Sequence, residues 1–162
     1  MYKIMLADDE GIVIDSLKFI IQKEYGDDCR IEYAKTGRNV IELAERFRPD
    51  IAIMDIQMPG INGIDAMKEI RKTNDSMVFI VMSAYDKFDY AQEAIKLGAI
   101  EYITKPMDRN KMIAALNSAM AKVTEEKNRR SKDLLIKEKL EIVVPILENG
   151  LIYNILFHEY FD

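Results

Sequence analysis

Over its first hundred residues the chain alternates two hydrophobic rhythms. Short, mostly apolar runs rich in Ile, Val, Met and Tyr occupy residues 2–7, 30–34, 51–54, 77–82 and 100–104. Their length and side chains read as strands. Between them, residues 12–25, 40–47, 66–71, 91–97 and 110–123 place apolar side chains three and four apart, as in Ile14, Leu17, Ile20 and Ile21. That spacing predicts helices. The punctuation agrees: Gly26 follows the first helix, Pro49 precedes the third strand, and Gly98 separates the fourth helix from the last strand.

Five strand–helix units in strict alternation predict an α/β fold, a parallel sheet with helices on both faces. The continuous runs "IAIM" and "MVFIVM" suit strands buried on both sides. In such sheets functional groups gather beyond the carboxyl ends of the strands, near the point where strand order reverses. The positions just past each run are therefore the ones that matter.

Composition changes the picture after Val123. Residues 125–133, "EEKNRRSKD", are nine consecutive polar residues, followed by "LLIKEKLEIVVPIL". Residues 1–107 hold 14 basic and 19 acidic side chains, whereas residues 108–141 hold 9 basic and 6 acidic, a swing from net −5 to net +3. The second segment is expected to be a separate element, a helical stalk. Ile113, Leu116, Met120 and Val123 form one apolar stripe; Ile136, Leu140, Val143 and Leu147 form another, out of heptad phase with the first. The pattern fits a coiled coil with an interrupted seam or a solvated helix. Pro145 is expected to end or kink it. Beyond lies an aromatic tail with Tyr153, Phe157, Tyr160 and Phe161, a surface that a second copy of the chain or a further domain would cover.

Bulk numbers exclude some classes. At 162 residues, the chain suits one domain plus an appendage, and its net charge of −5 argues against a nucleic-acid surface on the whole chain. A single cysteine, Cys29, cannot form an internal disulfide and reads as a half-buried residue at a strand start. Lys3, Asp8 and Asp9 interrupt any signal-peptide pattern, and the apolar runs are too short to span a bilayer. A cytoplasmic protein with no membrane partner is expected.

The strand ends carry the chemistry. Strand one ends in Asp8-Asp9-Glu10, strand three in Asp55, strand four in Ser83-Ala84 and strand five in Thr104-Lys105-Pro106. A strand order of 2-1-3-4-5 would converge Asp8, Asp9, Asp55, Ser83 and Lys105 on one edge. Three carboxylates packed together repel unless a cation compensates. A hard divalent ion such as Mg²⁺ fits, with Asp9 and Asp55 as direct ligands, Asp8 holding a water, and the Gln57 backbone carbonyl adding an oxygen. A carboxylate can also attack phosphorus, and the Lys105 ammonium and Ser83 hydroxyl would then neutralise phosphoryl oxygens. Taken singly, each piece has an ordinary reading as a cap, turn or loop residue. Their joint occurrence in this order is what carries weight.

With "LADDE", "MDIQMPGINGID", "VMSAY" and "EYITKP" in view, residues 1–124 resemble the receiver domain of two-component response regulators. The resemblance implies a flavodoxin-like (βα)5 receiver and phosphoryl transfer onto Asp55 from a sensor histidine kinase. It implies Mg²⁺ at Asp8, Asp9, Asp55 and the Gln57 carbonyl, with phosphate contacts from Ser83, the Ala84 backbone and Lys105. Ser83 and Tyr102 would form the switch pair, and Pro59, Gly63 and Pro106 would shape the loops. It also implies homodimerisation through the face of helix four, strand five and helix five, or through the stalk.

The segment "AYDKFDYAQEAIKLGAIEYITKP" and the stalk resemble receivers joined to AraC-type, YesN-like helix-turn-helix regulators. No helix-turn-helix pattern is found in the last forty residues, so residues 125–162 read as a linker and tail leading to an absent DNA-binding output domain. Ser83 stands where Thr is commoner, Gln57 and Tyr85 lie where the family tunes phosphoryl lifetime, and the only histidine, His158, sits in the tail. Two other readings remain. One is a stand-alone receiver acting as an interaction module. The other is a Mg²⁺-dependent phosphatase or nuclease, disfavoured because neither a substrate pocket motif nor a general base is evident.

Overall fold

In the computed structural model, residues 1–84 and 88–143 are described, with the side chains of Phe88, Ile142 and Val143 excepted. Tyr85, His158, Pro145, Leu147 and the aromatic tail lie outside the described residues. The elements run β1 (Tyr2–Ala7), α1 (Gly11–Tyr25), a 3-10 turn (Gly26–Asp28), β2 (Cys29–Ala34), α2 (Gly37–Phe47), β3 (Ile51–Asp55), α3 (Gly63–Thr73), β4 (Val78–Ser83), α4 (Phe88–Lys96), β5 (Ala99–Thr104) and α5 (Arg109–Val143). All strand pairs are parallel, in the order β2-β1-β3-β4-β5. The expected flavodoxin-like architecture is present.

Period-two alternation divides the core into two layers. Met5, Ala52, Met54, Phe79 and Val81 pack on one face with α2 and α3, while Leu6, Ile51, Ile53, Ile80 and Met82 pack on the other with α1 and α5. Every residue of β3 and β4 is buried, as expected for central strands covered on both sides. Each fully buried Ile, Phe or Met contributes about 1.5–3 kcal/mol, so these two strands are the rigid part of the scaffold.

Three helices, α2, α3 and α4, begin three residues earlier than their apolar spacing predicts, and side-chain caps set two of those starts. The Thr36 hydroxyl accepts from the Asn39 amide at 3.1 Å, and the Asn62 side-chain oxygen accepts from the Asp65 amide at 2.9 Å. These caps start α2 at Gly37 and α3 at Gly63, three residues before the expected starts at 40 and 66. A cap satisfies orphan amide N–H groups with a polar atom, so apolar periodicity cannot detect it.

The expected boundary between residues 124 and 125 falls inside a helix. The chain divides into two units, Met1–Val123 and Thr124–Asp162, yet α5 continues through the polar run to Val143. Polar residues such as Glu, Lys and Arg are good helix formers, so the composition shift does not break the helix. In the first unit, Met112, Leu116, Met120 and Val123 are buried against the α1 side of the sheet. In the second, Leu134 and Leu135 are exposed.

Candidate functional site at the carboxyl edge of the sheet

Strand register assembles the site. Ala7 of β1 is aligned with Met54 of β3, so the next residues, Asp8 and Asp55, lie side by side. Ser83 is aligned with Thr104, which brings Lys105 to the end of β4. Leu6, Ile53 and Ile103 share the α1/α5 layer, and a period of two places Asp8, Asp55 and Lys105 on that same side. Ser83 follows Phe79 and Val81 in the opposite register, and Tyr102 packs against their layer. The charged cluster and the Ser83/Tyr102 pair thus belong to opposite faces of one sheet.

Lys105 Nζ lies 2.9 Å from Asp8 Oδ2 and 3.2 Å from Asp55 Oδ2. Both carboxylates are almost wholly buried, at 2% and 3% exposure. Asp8 Oδ1 accepts from the Glu10 amide at 2.9 Å, and Asp55 Oδ1 accepts from the Gln57 amide at 3.3 Å. The Lys105 amide donates to the Ser83 carbonyl at 2.8 Å, fixing the lysine to β4. Ser83 is fully buried and Ala84 is exposed; the Lys105–Pro106 peptide bond is cis.

Burial, and then the neighbouring Asp8 charge, push the Asp55 carboxyl up to about 6, against the opposing pull of Lys105 and the Gln57 amide. Lys105 feels burial as its largest single influence, which lowers its pKa. Its hydrogen bonds and charge contacts with Asp8 and Asp55 together outweigh this and leave it raised. Asp8, Asp9 and Asp55 can direct oxygen atoms that all lie within 4.8 Å of one another. Three carboxylates against one ammonium leave an excess of negative charge in a largely buried setting. Those oxygens and that charge fit a hard divalent cation.

The loop that carries the chain away from Asp55 is held by two glycines. A Cβ at Gly63 would collide with the Asp55 carbonyl oxygen and lie 2.9 Å from Ile56 Cα, while the Gly63 amide donates to the Ile56 carbonyl at 2.8 Å. Gly63 is thus required by close backbone approach. Gly37, which sequence reasoning missed, meets the loop from the other side: a Cβ there would collide with the Ile61 carbonyl oxygen and lie 2.7 Å from Ile61 Cβ. Its only sequence signal is a glycine directly after a capping threonine. Pro59 is exposed, and Gly60 beside it has φ 74°, a turn conformation that favours glycine.

Residues 4–117 match the family model for the response regulator receiver domain. The chain belongs to that family. It is 34% identical over 141 residues to the uncharacterized transcriptional regulatory protein YesN of Bacillus subtilis, covering 87% of this chain but 38% of that protein. It is 40% identical over 115 residues to the chemotaxis protein CheY of Thermotoga maritima, covering 71% of this chain and 94% of that protein. Among solved structures, the REC domain of AraT, a response regulator from Geobacillus stearothermophilus, superposes with a TM-score of 0.65 at 30% identity, covering 80% of this chain and 98% of that one. As a receiver, the chain is a two-component signalling domain whose relatives include transcriptional regulators. Among the described residues no helix is long and apolar enough to cross a membrane.

Proposed function

We propose that this receiver takes a phosphoryl group on Asp55 from a phosphohistidine of a sensor kinase and uses the resulting charge as a switch. The observation that carries this reading is the buried Asp55 carboxylate, held between Asp8 and Lys105 with its pKa raised to about 6. In transfer, an Asp55 oxygen forms a bond to phosphorus as the phosphorus–nitrogen bond breaks, and the electron pair of that bond returns to the imidazole. Asp8, Asp9, Asp55 and the Gln57 carbonyl would hold Mg²⁺, which when bound supplies charge neutralisation for the phosphoryl oxygens. Lys105 gives those oxygens a second cationic contact, and the Ser83 hydroxyl and Ala84 amide offer hydrogen bonds. A phosphoryl group adds roughly two negative charges beside these donors. The Ser83 hydroxyl then moves toward it, Tyr102 turns inward, and the α4–β5–α5 face changes shape.

This is a phosphoacceptor with at most self-phosphorylation and self-dephosphorylation, acting in the cytoplasm without a membrane partner. The chain spans 38% of the length of YesN and 52% of HptR, a transcriptional regulatory protein of Staphylococcus aureus. DNA is therefore reached through a C-terminal domain outside this sequence, with residues 125–162 as linker. Two copies pair through the α4–β5–α5 face or the stalk. A stand-alone interaction module is the second reading, favoured by coverage of 94% of the Thermotoga CheY.

Incubation with Mg²⁺ and acetyl phosphate, read by intact mass, tests the proposal. One phosphoryl adduct per chain, absent in Asp55→Asn and in EDTA, is expected. Turnover of added phosphoesters without an adduct would overturn it in favour of a phosphatase.

A further inference from the structure

Among the described side chains of α4, Ala94 alone is buried; Tyr90 and Ala91 are half-buried, and the others are exposed. By contrast α1 buries four residues, and α2 and α3 five each. A helix that buries so little apolar surface is weakly held by packing. Directed polar contacts therefore have unusual leverage over where it sits.

One such contact comes from Arg71, in the last turn of α3. Its Nε donates to the Leu97 carbonyl at 2.8 Å and its Nη1 to the Asp75 carbonyl at 3.0 Å. The guanidinium lies 4.5 Å from the ring centroid of Phe79, a fully buried residue of β4. The Leu97 and Gly98 amides donate back to Glu93 and Ile95, closing the C-terminal turn of α4. The Leu97 carbonyl is one of that helix's orphan acceptors, at the negative end of its dipole, where a cation is favoured. Gly98 has φ 90°, and a Cβ there would lie 3.0 Å from Arg71 Nη2. A second α3–α4 contact, Lys68 Nζ to Glu93 Oε2 at 3.4 Å, is exposed on both sides and weak.

We propose that Arg71 is a positioning residue that pins the C-terminal end of α4 to α3 and β4 and so restrains the resting conformation of the switch. This rests on the reading of Asp55 as phosphoacceptor and goes beyond it by naming what holds α4 before phosphorylation. Phe79 lies four residues before Ser83 on the same face of β4, so the clamp and the switch hydroxyl share a strand. Loosening the clamp lets α4 sample more positions, and a receiver whose competent conformation is more populated accepts phosphoryl groups faster.

The test compares the full chain with Arg71→Met, Arg71→Lys and Glu93→Gln by amide hydrogen exchange and by the rate of adduct formation with acetyl phosphate and Mg²⁺. In Arg71→Met, amides of residues 93–98 are expected to exchange about tenfold faster, with α1 unchanged, and the adduct to form about threefold faster. Arg71→Lys falls between, because one ammonium cannot serve both carbonyls in the geometry of the planar fork, and Glu93→Gln resembles wild type. Exchange that rises uniformly over all elements, or not at all in α4, overturns the clamp. A local rise with an unchanged adduct rate overturns its control of phosphorylation. Absence of an adduct in the wild type defeats the phosphoacceptor reading instead, while the exchange comparison still decides whether Arg71 holds α4.

Discussion

Lys105 Nζ stands 3.2 Å from Asp55 Oδ2, joining the ends of two strands that are separated by β4 in the sheet. The same ammonium reaches Asp8 Oδ2 at 2.9 Å, so one cation offsets two buried carboxylates. Removing one partner of a buried ionic group leaves an uncompensated charge, typically a larger loss than the pair's net worth. Lys105→Met should therefore destabilise the metal-free protein by about 3 kcal/mol at neutral pH, with a smaller deficit in Mg²⁺. Urea unfolding with EDTA and with Mg²⁺ checks this; equal deficits in both would show that the lysine does not share charge balance with a metal.

The raised pKa of Asp55 has a sign for stability. A carboxyl that titrates near 6 when folded and at its ordinary 3.8 when unfolded binds its proton more tightly in the fold. Stability attached to that proton is complete below about pH 4, falls as the unfolded chain ionises first, and is lost above about pH 6. Metal-free Asp55→Asn should thus match the wild type near pH 4 and exceed its melting temperature above pH 6. Thermal unfolding in EDTA from pH 4 to 7.5 reads the gap, and Mg²⁺ should narrow it. A wild type that gains on the variant as pH rises would contradict the assignment.

Glycines at the phosphoacceptor loop should differ in what they cost. Gly63→Ala and Gly37→Ala each force a methyl into backbone, at Asp55 and at Ile61 respectively, and overpacking of this kind costs about 1–3 kcal/mol. Both should also displace the loop and slow adduct formation on Asp55. Gly60→Ala meets nothing within 4 Å but must adopt φ 74°, so its penalty should be about 1 kcal/mol, with near-normal phosphorylation. Parallel unfolding and adduct rates separate the two kinds of glycine.

The second unit presents Leu134 at 67% exposure and Leu135 at 52%, an apolar surface that self-association would cover. Sedimentation of the full chain should show concentration-dependent dimers, whereas a chain ending at Val123 should be monomeric. Identical monomers for both would eliminate the stalk as a pairing surface.

The sequence alone determined the element order and the layers of the core. Runs such as "IAIM" and "MVFIVM" can be satisfied only by burial on both faces, and the helical stripe of α1 has a single apolar side to hide. It also placed Asp8, Asp55 and Lys105 at strand ends, because an abrupt acid or base after an apolar run is visible without coordinates. Helix starts at Thr36 and Asn62 were less legible, since capping is polar and local. Tertiary structure decided the rest. Strand register set Asp8 beside Asp55, put Lys105 within reach of both, and sent Ser83 and Tyr102 to the opposite face. The contacts of Gly37 with Ile61 and of Arg71 with Leu97 join segments 24 and 26 residues apart. No periodicity encodes such meetings; they exist because packing two helices on one sheet face leaves a particular backbone atom in reach.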